Sequence, residues 1–178
     1  MLENRLIYGL YPEVITEPGD AKRTLTSLTN NYLYKDLFSY KGLKKPDVIQ
    51  KLVRALALQL GSEVSYNELS NLLGIDKETV ENYICLLEKC FVVFRLDSFS
   101  RNLRNEIKKG KKIYFYDNGI RNAVISNFAP LELRTDAGAL EFKWNAKAKS
   151  KQLKVFMESY LNSVYEIITP ENFWSFVR

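Results

Sequence analysis

A mainly helical α+β fold is what this sequence predicts, on three observations. A helix-turn-helix pattern from Ser65 to Lys89 passes into two β-rich runs, Phe91 to Leu96 and Lys111 to Tyr116. Helical leucine periodicity precedes it between Ala21 and Leu60, and a strand-helix-strand-helix order follows from Glu141. The expected organisation is a helical connector over 1–62 packing on a winged helix-turn-helix over 63–126, then a small, incomplete-looking α/β domain over 127–178.

The first segment, Arg5 to Glu17, holds Tyr8, Gly9, Tyr11 and Pro12 and predicts a compact connection rather than a periodic element. Asp20 is expected to cap a helix from about Ala21 to Tyr40, with Leu25, Leu28, Tyr32, Leu33 and Leu37 on its inner face. Tyr32, Tyr34, Phe38 and Tyr40 alternate with those leucines, which assigns them to packing rather than to a stacking platform. Gly42 and Pro46 punctuate the next start. Asp47 to Leu60 is apolar almost all round, predicting a helix buried at the centre.

Ser65 and Glu68 form the Ser-x-x-Glu box that satisfies orphan amides at a helix start, and Gly74 supplies the left-handed residue that ends that helix. Asp76 caps the second helix, whose Val80, Tyr83, Ile84 and Leu87 recur at helical spacing. The two β-rich runs that follow, separated by a long polar segment, predict the wing of a winged helix. Asp117-Asn118-Gly119 reads as a turn and Ile120 to Ile125 as a short helix. A polar connection leads through Asn127, Pro130 and Asp136 to a strand at Glu141–Trp144, a helix at 150–161, a strand at 164–168, and a closing helix that Thr169 caps.

Charge singles out the wing. Arg95, Arg101, Arg104, Lys108, Lys109, Lys111 and Lys112 against Asp97 and Glu106 give it +5, which equals the net charge of the whole chain. Mobile cations on such a loop can neutralise phosphates and steer a polyanion toward it; a solvated loop kept soluble by lysines is the bland alternative. The second helix points the other way. A helix that reads a major groove presents Arg, Lys, Asn or Gln at its start. This one begins Lys77-Glu78-Thr79 and continues Glu81-Asn82, so base-specific readout is not expected and Glu78 and Glu81 become candidate contacts for a protein partner.

With 178 residues, 46 % of them hydrophobic, the chain can bury one good core or two small ones. No run approaches the roughly 20 apolar residues of a membrane span, and the start resembles no signal peptide, so a cytoplasmic protein without membrane contact is expected. There is no histidine, and Cys85 and Cys90 stand at the wrong offset for shared ligation. That removes imidazole-based triads and a structural zinc site. No P-loop or glycine-rich strand-to-helix turn occurs, so this chain is not expected to bind a nucleotide itself.

Several of these stretches resemble a family. Residues 5–14 (Arg-Leu-Ile-Tyr-Gly-Leu-Tyr-Pro-Glu-Val), Tyr32-Leu33-Tyr34-Lys35-Asp36, Ser65 to Leu69, Asp76 to Tyr83, Tyr114 to Gly119, Gly138-Ala139-Leu140, Glu141 to Trp144 and Thr169 to Phe173 together look like the C-terminal half of predicted ATPases of the AAA+ superfamily. In those proteins a P-loop module precedes a winged helix and a domain of unknown function. The resemblance implies that the ATPase module, which would take ATP, is absent from this chain.

It also implies a restriction-endonuclease-like fold for the last domain, whose motif is an acidic residue on one strand and Glu-x-Lys on the next. Glu141 and Lys143 match the second half as candidate catalytic residues, with Glu141 the candidate magnesium ligand. Residues two apart on a strand share a face, so a carboxylate can hold the ion beside an ammonium that positions water. The first acid has no counterpart, Glu132 and Asp136 being the substitutes at hand, and residues are expected to be missing between Leu140 and Glu141. A cross-strand salt bridge is the ordinary explanation of Glu141 and Lys143.

The function expected is therefore that of the DNA-binding, regulatory C-terminal region of an AAA+ ATPase, contacting nucleic acid without sequence preference through the wing, with a nuclease-like domain inactive in this chain. A protein-interaction module docking on the ATPase module through Glu78 and Glu81 is the alternative, and a magnesium-dependent nuclease the second alternative.

Overall fold

The structure, a computed structural model, describes residues 2–38, 45–96 and 111–134. The strand, helix and Glu-x-Lys expectations for 141–178, and the junction of Leu140 with Glu141, lie outside them. Mainly helical structure with one small antiparallel sheet is what the described residues form.

The chain opens with two short helices, α1 (Leu2–Tyr8) and α2 (Pro12–Thr16), where the sequence predicted a connection. Each is too brief to establish a period. Gly9 at φ +73° ends the first and Pro12 starts the second. Asp20 belongs to a 3₁₀ turn (Pro18–Asp20) and makes no capping hydrogen bond to α3 (Ala21–Ser27); its carboxylate stands 3.6 Å from Arg23 instead.

The predicted continuous helix widens into a π-helical stretch, Leu28–Leu33, before α4 (Tyr34–Phe38). Thr26 and Thr29 donate their hydroxyls to carbonyls one turn back, each at 2.8 Å, and such bonds compete with the regular ladder and bend it. Leu25 and Leu37 still reach the core with no exposure.

Helix α5 (Pro46–Leu58) buries Ile49, Leu52, Val53, Leu56 and Ala57. It is amphipathic rather than apolar all round: Lys51 and Arg54 face solvent and Leu58 is 64 % exposed. A two-residue strand β1 (Glu63–Val64) then leads to α6 (Tyr66–Leu73). Ser65 accepts the Glu68 amide, and Gly74 closes the helix at φ +64°. In α7 (Lys77–Lys89), Asp76 accepts the Thr79 amide at 2.7 Å, the cap the sequence predicts, and also the Thr79 hydroxyl at 2.7 Å. Those bonds favour the ionised carboxylate, and its pKa is lowered accordingly.

Strands β2 (Val93–Leu96) and β3 (Lys111–Phe115) pair antiparallel, with β1 on the far side of β3, so the order is β1-β3-β2. The first strand begins later than predicted because Phe91 is in the left-handed region, at φ +54°. Val93, Ile113 and Phe115 turn inward and join Leu69, Val80, Ile84 and Leu87 in one core. Finally α8 (Asn118–Val124), capped by Asp117 rather than preceded by a turn, packs against α1, α3 and α5.

Candidate nucleic-acid interface

The antiparallel pairing of β2 and β3 makes residues 97–110 the connection between neighbouring strands. At its root Leu96 pairs with Lys112, and Lys112 pairs on its other side with Glu63. Lys111 and Lys112 are both half-buried on β3. Arg101, Arg104, Lys108 and Lys109 lie outside the described residues.

Arg95 departs from the mobile cation the charge count suggested. It donates Nε to Glu88 Oε1 at 2.9 Å and Nη2 to Glu88 Oε2, and its amide donates to Oε1 at 3.0 Å. The two side chains are only 23 % and 24 % exposed, and the carboxylate holds the guanidinium even more firmly protonated than usual. This fork-to-fork pair ties the end of α7 to β2 and offsets one of the positive charges counted between Phe91 and Tyr116.

Helix α7 carries Glu78 and Glu81 on its solvent side, together with Lys77 and Asn82. The acidic beginning predicted from sequence is thus exposed.

The outer face of the sheet holds what the sequence reading missed. Phe94 lies directly across from Tyr114, their rings stacked at 5.7 Å. Phe94 also meets Tyr116 at 5.1 Å, and Tyr116 meets Phe91 at 5.8 Å. Strand parity could have revealed this: Val93 and Arg95 turn one way, which sends Phe94 and Leu96 the other, and Tyr114 and Tyr116 flank the inward Phe115.

A polar joint, exposed at Leu10 and buried around Asn122, lies at the base of this sheet. Asp117 Oδ1 accepts the Ile120 amide at 2.9 Å and Oδ2 accepts the Leu10 amide at 2.7 Å. Asn122 donates to the Ile7 carbonyl at 2.7 Å and accepts from Arg134 at 2.8 Å and Arg121 at 3.2 Å; Arg121 donates onward to the Ala57 carbonyl at 2.8 Å. The chain's beginning is thereby locked to α8. The joint is a hydrogen-bonded polar network, and we assign it to scaffolding.

Among the described residues no three Asp, Glu or Cys side chains cluster closely enough to hold a metal ion, and no helix is long and apolar enough to cross a membrane. Cys85 and Cys90 form no disulfide. Glu141 and Lys143 lie outside the described residues.

The family described as a domain of unknown function (DUF8612) matches residues 1–131, and the chain belongs to it. An uncharacterized protein of Haemophilus influenzae is 24 % identical over 124 residues, 66 % of this chain and 31 % of that protein. An uncharacterized protein of Methanocaldococcus jannaschii is 30 % identical over 100 residues, 55 % of this chain and 21 % of that protein. The matched part of the chain thus spans about a third of the first relative and a fifth of the second. No solved structure matches it.

Proposed function

We propose that this member of the family is the nucleic-acid-binding, regulatory region of an AAA+ ATPase, and that its α5-to-β3 segment is a winged helix contacting phosphates without sequence preference. The observation that carries the reading is the sheet order β1-β3-β2, built from one strand before a capped helix pair and two after it. In this reading 97–110, with Arg101, Arg104, Lys108 and Lys109, is the wing and Lys111 and Lys112 stand at its root. The relatives extend well beyond the matched segment, which leaves room for an ATPase module elsewhere in them.

Arg95 is a structural member of this wing because Glu88 already takes its guanidinium. Contact by the remaining lysines and arginines would be electrostatic and indifferent to sequence, since α7 offers carboxylates where base-reading side chains belong. Binding of several unrelated duplexes, measured by fluorescence anisotropy, tests it. Similar affinities that fall together when Lys108, Lys109, Lys111 and Lys112 are changed to glutamine support the reading. A strong preference for one sequence, or indifference to those changes, overturns it.

One observation favours a second reading, a protein-docking module: Glu78 and Glu81 are both exposed at the start of α7. It expects no DNA binding at physiological salt, and association with a separately expressed ATPase module that is abolished in E78K/E81K. In the first reading the nuclease-like domain is non-catalytic, with Glu141 and Lys143 a relic of a magnesium site; a magnesium-dependent nuclease is the second alternative.

A further inference from the structure

We propose that the outer face of the sheet is a stacking platform for single-stranded nucleic acid, formed by Phe91, Phe94, Tyr114 and Tyr116 and continuous with the basic root of the wing. The proposal rests on the wing reading above and names the form of nucleic acid that the site takes.

Three observations meet here. The first is continuity: across β2 and β3 the outward residues run Lys112 and Leu96, then Tyr114 and Phe94, then Tyr116 and Phe91. A strand whose phosphates are held at the lysine end can lay successive bases along the aromatics, the combination of charged groove and rings by which proteins hold unpaired strands. A duplex cannot use such a face, because its bases are already paired and stacked.

The second is exposure. Phe91 is 73 % and Tyr116 56 % exposed, so these rings are open to a ligand rather than spent on the core, which lies on the opposite face with Val93, Ile113 and Phe115. The third is backbone cost. Helix α7 ends with the Val92 amide donating to the Leu87 carbonyl at 2.9 Å and the Phe91 amide to the Glu88 carbonyl at 3.0 Å, a Schellman turn with Phe91 in its left-handed position. Glycine suits that position, and α6 uses Gly74 there, at φ +64°. A bulky aromatic in a strained conformation, with most of its surface in water, lowers stability; a ring that stacks on a ligand gives that cost a purpose.

Charge complementarity selects the occupant. The outward Lys112 borders the face in a chain of net charge +5, so an anionic, planar-ringed polymer fits it better than an aliphatic helix from a protein.

The test uses the full chain with fluorescein-labelled oligo(dT) and a duplex of equal length, and the variants F91G, Y116A and a wing variant, K111Q/K112Q. The unmodified chain is expected to prefer oligo(dT). F91G should unfold at an equal or higher temperature yet bind oligo(dT) about 5-fold or more weakly, the low end for removing one aromatic–base stack, with duplex affinity unchanged. Y116A should show a similar weakening and guards against an effect peculiar to the turn. K111Q/K112Q should weaken both ligands. Oligo(dT) affinity within about twofold of the unmodified chain in both aromatic variants overturns the platform while leaving the wing reading intact. Failure of the unmodified chain to bind either ligand overturns both.

Discussion

Replacing Gly119 with alanine sets two effects of opposite sign against each other. Gly119 sits in the first turn of α8, where alanine is favoured over glycine by about 1 kcal/mol on helix propensity alone. Against this, a Cβ at Gly119 would stand 2.2 Å from the Tyr8 carbonyl oxygen and 2.6 Å from its carbon, where ordinary contact begins at 3.4 Å. Both obstacles are backbone, so α1 must retreat from α8 by about 1 Å. That movement breaks or stretches the 2.7 Å bond from the Leu10 amide to Asp117 and the 2.7 Å bond from Asn122 to the Ile7 carbonyl. A hydrogen bond to a charged group contributes about 1.5–3 kcal/mol and a neutral one about 1 kcal/mol. The sum, less the propensity gain, is a net destabilisation of about 2 kcal/mol. With a urea slope of about 2 kcal/mol per molar, the far-UV circular dichroism midpoint should fall by about 1 M. Gly19→Ala is the control, since nothing lies within 4 Å of the Cβ it would add, and it should leave the midpoint nearly unchanged. A midpoint in Gly119→Ala equal to or above that of the unmodified chain would refute the close approach of α1 to α8.

Two further outcomes follow from the site. Glu88→Ala removes the acceptor of three Arg95 donors, and because the pair is mostly shielded from water the destabilisation should be about 2 kcal/mol. A double-mutant cycle with Arg95→Ala should return a coupling of about 1 kcal/mol, and none would mean the two residues act separately. Asp76 has a folded-state pKa below its ordinary value of 3.8, so its contribution to α7 is fully present above that value and is lost as pH falls through the lower folded value. Asp76→Asn should flatten that part of the stability-against-pH profile, and an unchanged profile would contradict the cap.

What could be read from the sequence was what is local along the chain. Ser65 and Asp76 accept amides three positions on, and Gly74 donates its amide to the Ser70 carbonyl four positions back, so residue type and spacing sufficed to place α6 and α7. The core face of α7 followed from helical periodicity for the same reason. Asp117 caps α8 by the same local rule, through the Ile120 amide, and was read only as a turn; its second partner, the Leu10 amide, lies 107 residues away in sequence and leaves no local signal. Nothing local announces that Arg95 is claimed by Glu88, seven positions back across a helix end and a turn. The left-handed Phe91 contradicts its residue preference outright: strand-forming composition at 91–96 suggested that the strand began there, while the Schellman turn of α7 consumed its first residue. Within the candidate site, the positive charge between Phe91 and Tyr116 was visible in composition, whereas the aromatic face emerged only once register had fixed which residues share a side.

The most direct test of the account is the salt dependence of duplex binding by the full chain and by its K108Q/K109Q/K111Q/K112Q variant. Each lysine that neutralises a phosphate adds about 0.9 to the steepness of log affinity against log salt, so replacing all four should flatten the slope by roughly 3 to 4, equally for unrelated sequences. A slope the four changes leave untouched, or no measurable duplex binding near physiological salt, would contradict the wing as a nucleic-acid contact.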